Sequence, residues 1–448
     1  MIAPRVTRRG WLAGLAATAG WGRLALGQQN PPTPPELAPK AISGDPRNPT
    51  EWTEPLVISV GGPDADIQGF TDRAIQAAVD YIAARGSGTA RLTTGTFTLR
   101  NAVYLRPGVR LTGAGEATIL RKAPMERTAL ARDADWYDQE LALVDASGFP
   151  PGCGICLEGV QPHSGARIVV KRTVIARDGN RVLLDRALRE NFWVEFKPVI
   201  SSLFPLVTAE NASWLVIENL VLDGNRAENA ALDGNYAGCL WFQDCSDITI
   251  RNVIARDYNG DGISWQICHD VTLEHCKSLD NTMLGMHPGS GSQRPVIRDC
   301  ELSGNGIGIF FCWGVRHGLV ERCDIHDNTD SGISIGHRDH GNLIRECVIR
   351  NNGNHGILFR PERGEGFTAT ANTIENCRIV DNGGENSAAV EIQGVTSGNR
   401  FIRNHFEETR DRARRVAIRL APESGEQYFE KNRFLGFYRD IERVKADT

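Results

Sequence analysis

The sequence predicts an all-β fold, a right-handed parallel β-helix solenoid, on three observations. Five cysteines, Cys276, Cys300, Cys323, Cys347 and Cys377, recur at steps of 24, 23, 24 and 30 residues. Five residues after each stands an asparagine: Asn281, Asn305, Asn328, Asn352 and Asn382. Eight or nine residues after the first four cysteines stands a glycine: Gly285, Gly308, Gly332 and Gly356. A fixed period in the twenties, with strand-like apolar residues and no helical spacing, marks coils that bury a core only when stacked.

The unit 343–359 shows the elements in order. Ile344, Cys347 and Ile349 are the apolar positions expected in one short strand. Asn352 opens a turn, and Gly356 begins a second strand that puts Ile357 and Phe359 on one face by two-residue alternation. Units beginning near Leu273, Ile297, Val320 and Ile374 read alike; 250–265 has Val253 in the cysteine slot and 217–225 has Leu220. Weaker units follow near Asn404 and Asn432. Coils stacked about 4.7–4.9 Å apart pair every strand with the next. The asparagines then form a structural ladder of side-chain amides. Leucine-rich repeats share the period but carry a leucine consensus that is absent here.

Two stretches resemble the pectate-lyase-like superfamily of right-handed parallel β-helix proteins. One is the repeat array, over about 210–435. The other is Asp72-Arg73-Ala74-Ile75-Gln76-Ala77-Ala78-Val79-Asp80, followed by Gly86-Ser87-Gly88-Thr89-Ala90-Arg91-Leu92 and Gly95-Thr96-Phe97-Thr98-Leu99. The resemblance implies a short N-terminal helix capping the first coils. It also implies a fold that hosts lyases, hydrolases, epimerases and non-enzymes.

The N-terminus reads as an export signal over 1–27. Thr7-Arg8-Arg9-Gly10-Trp11-Leu12 precedes an apolar run that closes on Ala25-Leu26-Gly27, a twin-arginine pattern; an ordinary Sec signal is the alternative. The run is too short and glycine-rich to span a membrane. The mature protein is expected in the periplasm or outside the cell, with no membrane association. Residues 28–50 are proline-rich and read as a linker. The β-helix domain is expected over 51–440, with an insertion at about 123–209 that breaks the repeat. Within it, 166–188 alternates like a hairpin around Asp178-Gly179-Asn180. A formal charge of −5 gives no reason to expect nucleic acid as a partner. The sequence does not set an oligomeric state.

Eleven cysteines in an exported chain suggest disulfides, but five share one inward column, where thiols pack as small apolar groups. Cys153 and Cys156 form a lone CxxC, which reads as a turn or a late disulfide rather than a metal pair.

Outward positions of one strand per coil make a column on one face. Read from each glycine they are Ser264 and Gln266, His287, Phe310 and Cys312, Ser334 and Gly336, Leu358 and Arg360, then Glu391 and Gln393. Alignment of Gln243 with Gln266 adds Trp241. The loops add a rim of Trp313, Arg316, His317, His337, Asp339, His340 and Glu362. Five of the ten histidines fall in these strands or loops. Tryptophan faces stack on sugars, and arginine and histidine bind carboxylates, so the expected partner is a poly- or oligosaccharide. Taken singly, Cys312 reads as a small residue near a turn, Asp261 as a turn-former or a catalyst, and Trp241 and Trp313 as cover for apolar surface.

Two mechanisms suit this face. β-Elimination on a uronate glycan needs a carboxylate neutraliser, a base for the C5 proton and an acid for the leaving oxygen. Arg360 or Gln266 supplies the first, His287 or His337 the second, and His340 or a water the third. No cofactor is certain, and a calcium on Asp339 and Glu362 is the alternative neutraliser. Hydrolysis instead needs two carboxyls about 5–9.5 Å apart, which Asp339 and Glu362, on adjacent coils, would supply, with Glu391 one coil on. The excess of histidine and arginine over carboxylates favours the lyase. A C5 epimerase would use similar groups, and a binding or structural solenoid is the non-enzymatic alternative.

Overall fold

In a computed structural model, residues 55–362, 364–384, 387–410 and 415–445 are described. The export signal and nearly all of the expected linker-to-domain boundary lie outside them. No helix of the described residues is long and apolar enough to cross a membrane.

Each coil contributes three short strands, and like strands of successive coils pair in parallel. One ladder carries Ile297, Val320, Ile344, Ile374 and Phe401 in register. A second carries Leu302, Ile325, Ile349, Ile379 and Phe406. The third, an 11-stranded sheet from Val103–Tyr104 to Arg439–Arg443, carries Ile263, Met286, Ile309, Ile333, Ile357, Val390 and Ile418. All of these side chains point inward and are buried. The helix Asp72–Ala83 covers the N-terminal end of this core with Ile75, Ala78, Val79 and Ile82. Thr71 caps it, its hydroxyl accepting the Ala74 N–H.

The repeat unit differs from the sequence expectation in one respect. Leu343–Arg345 and Val348–Arg350 are two strands on two ladders, not one strand. The corner between them is made by Glu346, with φ +55°, and the following Cys347. The preceding residue is left-handed at every cysteine of the column: His275, Asp299, Arg322, Glu346 and Asn376. All five sulfurs are buried on the inner side of this corner. Each approaches the carbonyl two residues back, as Cys300 Sγ does Arg298 O at 3.1 Å and Cys347 Sγ does Arg345 O at 3.2 Å. A thiol is small enough for the corner and adds a weak second donor to a carbonyl that already accepts a backbone N–H from the coil before, as Arg298 O does from His275.

The asparagine ladder is continuous. Nδ2 of Asn281, Asn305, Asn328 and Asn352 donates to Oδ1 of the next asparagine at 3.0, 3.1, 2.9 and 2.8 Å. The same Oδ1 also accepts the backbone N–H of the asparagine before it. A parallel ladder not read from the sequence runs through Asn342, Asn372, Asn399 and Gln427. These amides satisfy turn backbone that a stacked loop would otherwise bury unpaired.

Residues 127–201 form a separate antiparallel sheet of six strands with its own core. Its hairpin Arg167–Asp178 and Arg181–Leu184 turns at Gly179, which is left-handed at φ +54°. Cys153 packs in the core of this sheet, whereas Cys156 packs in the β-helix core, so the CxxC is not a pair. Burial pushes the two thiols up to about 11 and about 12.

Candidate functional site

The outward column exists in the expected register. Trp241 pairs with Ser264, Ser264 with His287, Phe310 with Ser334, Ser334 with Leu358, and Leu358 with Glu391. It is not one open groove. Its N-terminal part is covered by the insertion and by the loop that approaches the start of the next strand at Gly234, and its middle part is open.

Under the cover lies a polar cluster centred on His287, which is 3% exposed. Nδ1 of His287 lies 2.8 Å from Oδ2 of the fully buried Asp261. The other Asp261 oxygen accepts the Leu284 N–H at 3.1 Å. Gly234 has no side chain because a Cβ there would overlap the Asp261 carboxylate. Ser264 Oγ also approaches Nδ1, at 3.3 Å, but donates its proton to Gly234 O at 2.7 Å. Serine and aspartate therefore share one ring nitrogen, which is not a nucleophile–base–orienter arrangement. Burial opposes charge on His287, but Asp261 and Cys312 outweigh it and hold the ring up to about 9. His287 is charged at neutral pH and is not the base the sequence allowed it to be. Its Nε2 and the Oε1 of Gln266 are buried without a hydrogen-bond partner.

The open part centres on His337. Its Nδ1 is 3.1 Å from Glu362 Oε2, and its ring lies between Trp313, at 4.8 Å, and Phe367, at 5.3 Å. Trp313 is 63% exposed and forms the rim. Arg360 comes from the next coil. It lies over the Phe310 ring at 4.1 Å and donates to Ser334 Oγ and Phe311 O, both at 2.8 Å. Gly336 leaves room for this guanidinium, which a Cβ would overlap. Burial opposes the Arg360 charge, and Asp339, 3.6 Å away, favours it.

Several sequence-predicted residues stand elsewhere or are spent. Asp339 is fully buried and accepts N–H bonds from Gly314, Val315 and Gly336 at 3.0, 2.9 and 2.7 Å. It ties two turns together and cannot reach a substrate, although burial pushes its carboxyl up. This removes the Asp339–Glu362 hydrolytic pair and the calcium site on the same two carboxylates. Among the described residues no group of three or more His, Cys, Asp or Glu side chains is arranged to hold a metal. His340 bonds Thr370 Oγ1 at 2.8 Å and, with Arg316, sits on a run of isolated bridges leading to the next ladder, while the His317 ring lies 6.5 Å from that of His340. These three are exposed but lie off the sheet that carries Arg360. Trp241 is 2% exposed, with Lys171 Nζ 3.4 Å over its ring, so it offers no sugar platform. With Gln243 it borders a separate cleft of about 480 Å³ beside Lys171, Arg172 and Arg186. Glu391 is paired with Arg419 at 3.2 Å, and Gln393 follows it at the end of the strand.

Comparison with known proteins agrees with this architecture. The family described as "Right handed beta helix region" matches residues 237–406. Comparison with curated protein sequences finds no match. Among solved structures, the A-module of the mannuronan C-5 epimerase AlgE4 of Azotobacter vinelandii is similar at 16% identity. The match covers 84% of this chain and 96% of that one, with a TM-score of 0.55. The Streptococcus pneumoniae surface protein and adhesin PfbA is similar at 11% identity, over 84% and 96% of the two chains, with a TM-score of 0.49. The catalytic domain of a GH87 α-1,3-glucanase is similar at 12% identity, over 88% and 60%, with a TM-score of 0.48. Three parallel ladders, an inward core at every coil, the family match over 237–406 and the likeness to the AlgE4 A-module show the fold: the chain is a right-handed parallel β-helix protein.

Proposed function

We propose that this chain is an exported, carbohydrate-active protein that cleaves an acidic, uronate-containing glycan by β-elimination at the His337–Arg360 groove. The observation that carries this reading is a partly exposed imidazole, oriented by a carboxylate and roofed by an aromatic rim, one coil from a guanidinium. With Nδ1–H given to Glu362, His337 keeps an Nε2 lone pair for the C5 proton. Arg360 neutralises the sugar carboxylate and stabilises the negative charge that develops there when the proton leaves. Trp313 stacks on a sugar ring and holds the chain in the groove. A water, rather than the remote His340, protonates the leaving oxygen. Glu362 orients His337 and does not act on substrate itself.

The named neighbours include an epimerase, a glucanase and an adhesin, and their likeness concerns the fold. Product analysis makes the choice among such activities. Incubation with a panel of polyuronates is expected to produce the absorbance of an unsaturated uronate end. His337→Ala should lower that turnover by about 100-fold or more. Reducing ends without unsaturation would make the protein a hydrolase, and inverted C5 centres an epimerase. Glycan binding without any product would leave a binding module.

A further inference from the structure

We propose that Cys312 is a modification site, a groove thiol that small hydroperoxides oxidise to the sulfenic acid with His287 as its proton partner. This does not rest on the lyase reading. Of the eleven cysteines, ten are buried and Cys312 alone is partly exposed.

Its surroundings are built rather than incidental. The parallel register that pairs Met286 with Ile309 continues to put Cys312 beside Gly289, and its N–H donates to Pro288 O at 3.0 Å. The next coil places Gly336 on its other side. Both neighbours lack side chains, and both spaces are filled by polar groups leaning in along the column. The Gln266 amide lies over Gly289 and the Arg360 guanidinium over Gly336, each where a Cβ would stand. Two buried polar atoms of this cluster, Gln266 Oε1 and His287 Nε2, have no hydrogen-bond partner. His287 is more than nine-tenths buried, with its other nitrogen on Asp261. His287 stands one coil before Cys312 on the same outward face, and the Arg360 guanidinium leans over Gly336 from the next coil. A thiol between an imidazole and a guanidinium, open to solvent on one side, is the environment in which cysteine acts as a nucleophile.

The step balances with one co-reactant, a hydroperoxide. The sulfur attacks the terminal peroxide oxygen, the S–O bond forms and the O–O bond breaks. Sulfur loses two electrons and the peroxide is reduced to the alcohol, or to water from hydrogen peroxide. The leaving oxygen takes the Nε2 proton of the charged His287, and the thiol proton replaces it on the ring. The other ten thiols are sealed in cores, so the product has no resolving partner within the fold.

The test uses the full mature chain at neutral pH, treated with hydrogen peroxide and dimedone, and in parallel with iodoacetamide, followed by peptide mass spectrometry. The expected result is label on Cys312 and none on the other ten. Iodoacetamide labelling should be at least tenfold faster than for free cysteine under the same conditions, and about tenfold slower in His287→Gln than in wild type. A rate at or below that of free cysteine overturns the proposal without any variant. Unchanged labelling in a folded His287→Gln protein overturns the role of the imidazole. Loss of glycan activity with Cys312 fully reactive would touch only the lyase reading.

Discussion

His287 Nδ1 lies 2.8 Å from Asp261 Oδ2 with both side chains shut away from solvent. Because the ring is held at about 9 rather than 6.5, its charge stabilises the fold fully below about pH 6.5 and is lost as pH rises through about 9. At about 1.4 kcal/mol per unit the linkage is on the order of 3 kcal/mol. The melting temperature should therefore fall between pH 6.5 and 9 in wild type. Asp261→Asn should lower stability at pH 6.5 by about 3 kcal/mol, since it leaves half of a buried pair, and should flatten the dependence. Denaturant titrations at both pH values measure both effects.

Asp339→Asn separates structure from chemistry. The new amide nitrogen cannot accept the Gly336 N–H, so stability should drop by about 1–3 kcal/mol. Activity per folded molecule should stay near wild type. A loss of turnover of 100-fold at unchanged stability would return Asp339 to the catalytic set.

Trp313→Ala should weaken glycan affinity about tenfold, or about 1.4 kcal/mol, with the melting temperature nearly unchanged, because the ring is largely exposed. Calorimetry on an oligouronate reads this directly, and unchanged affinity would move the binding rim elsewhere.

Asn328→Ala cuts the amide ladder at its middle. It orphans the buried Asn305 N–H, takes one of the acceptors from Asn305 Nδ2 and removes the amide donor to Leu302 O. Stability should fall by about 2–4 kcal/mol, read by urea unfolding. A neutral result would mean that water replaces the rung.

Arg8→Lys with Arg9→Lys should trap the protein in the cytoplasm, because twin-arginine recognition reads the guanidinium pair. Fractionation showing normal export of the double variant would identify a Sec signal.

The repeat by itself determined the solenoid, the inward column of cysteines, the asparagine ladder and the outward register that puts Ser264, His287, Ser334 and Leu358 in one line. Each follows from a fixed period and two-residue alternation, which are local properties of the chain. Contacts between segments far apart in sequence are not local, and only the tertiary structure decided them. The insertion lays Lys171 on Trp241 and removes a sugar platform that alternation alone had left open. Three backbone N–H groups from two turns capture Asp339, and Gly234 admits Asp261 to His287 from a loop that carries no repeat signal. His337 gains its roof from Trp313 one coil before and Phe367 one coil after. Composition marked this face as rich in histidine and arginine. Burial and hydrogen bonding then held His287 charged beneath the groove and left His337 and Arg360 beside its open part.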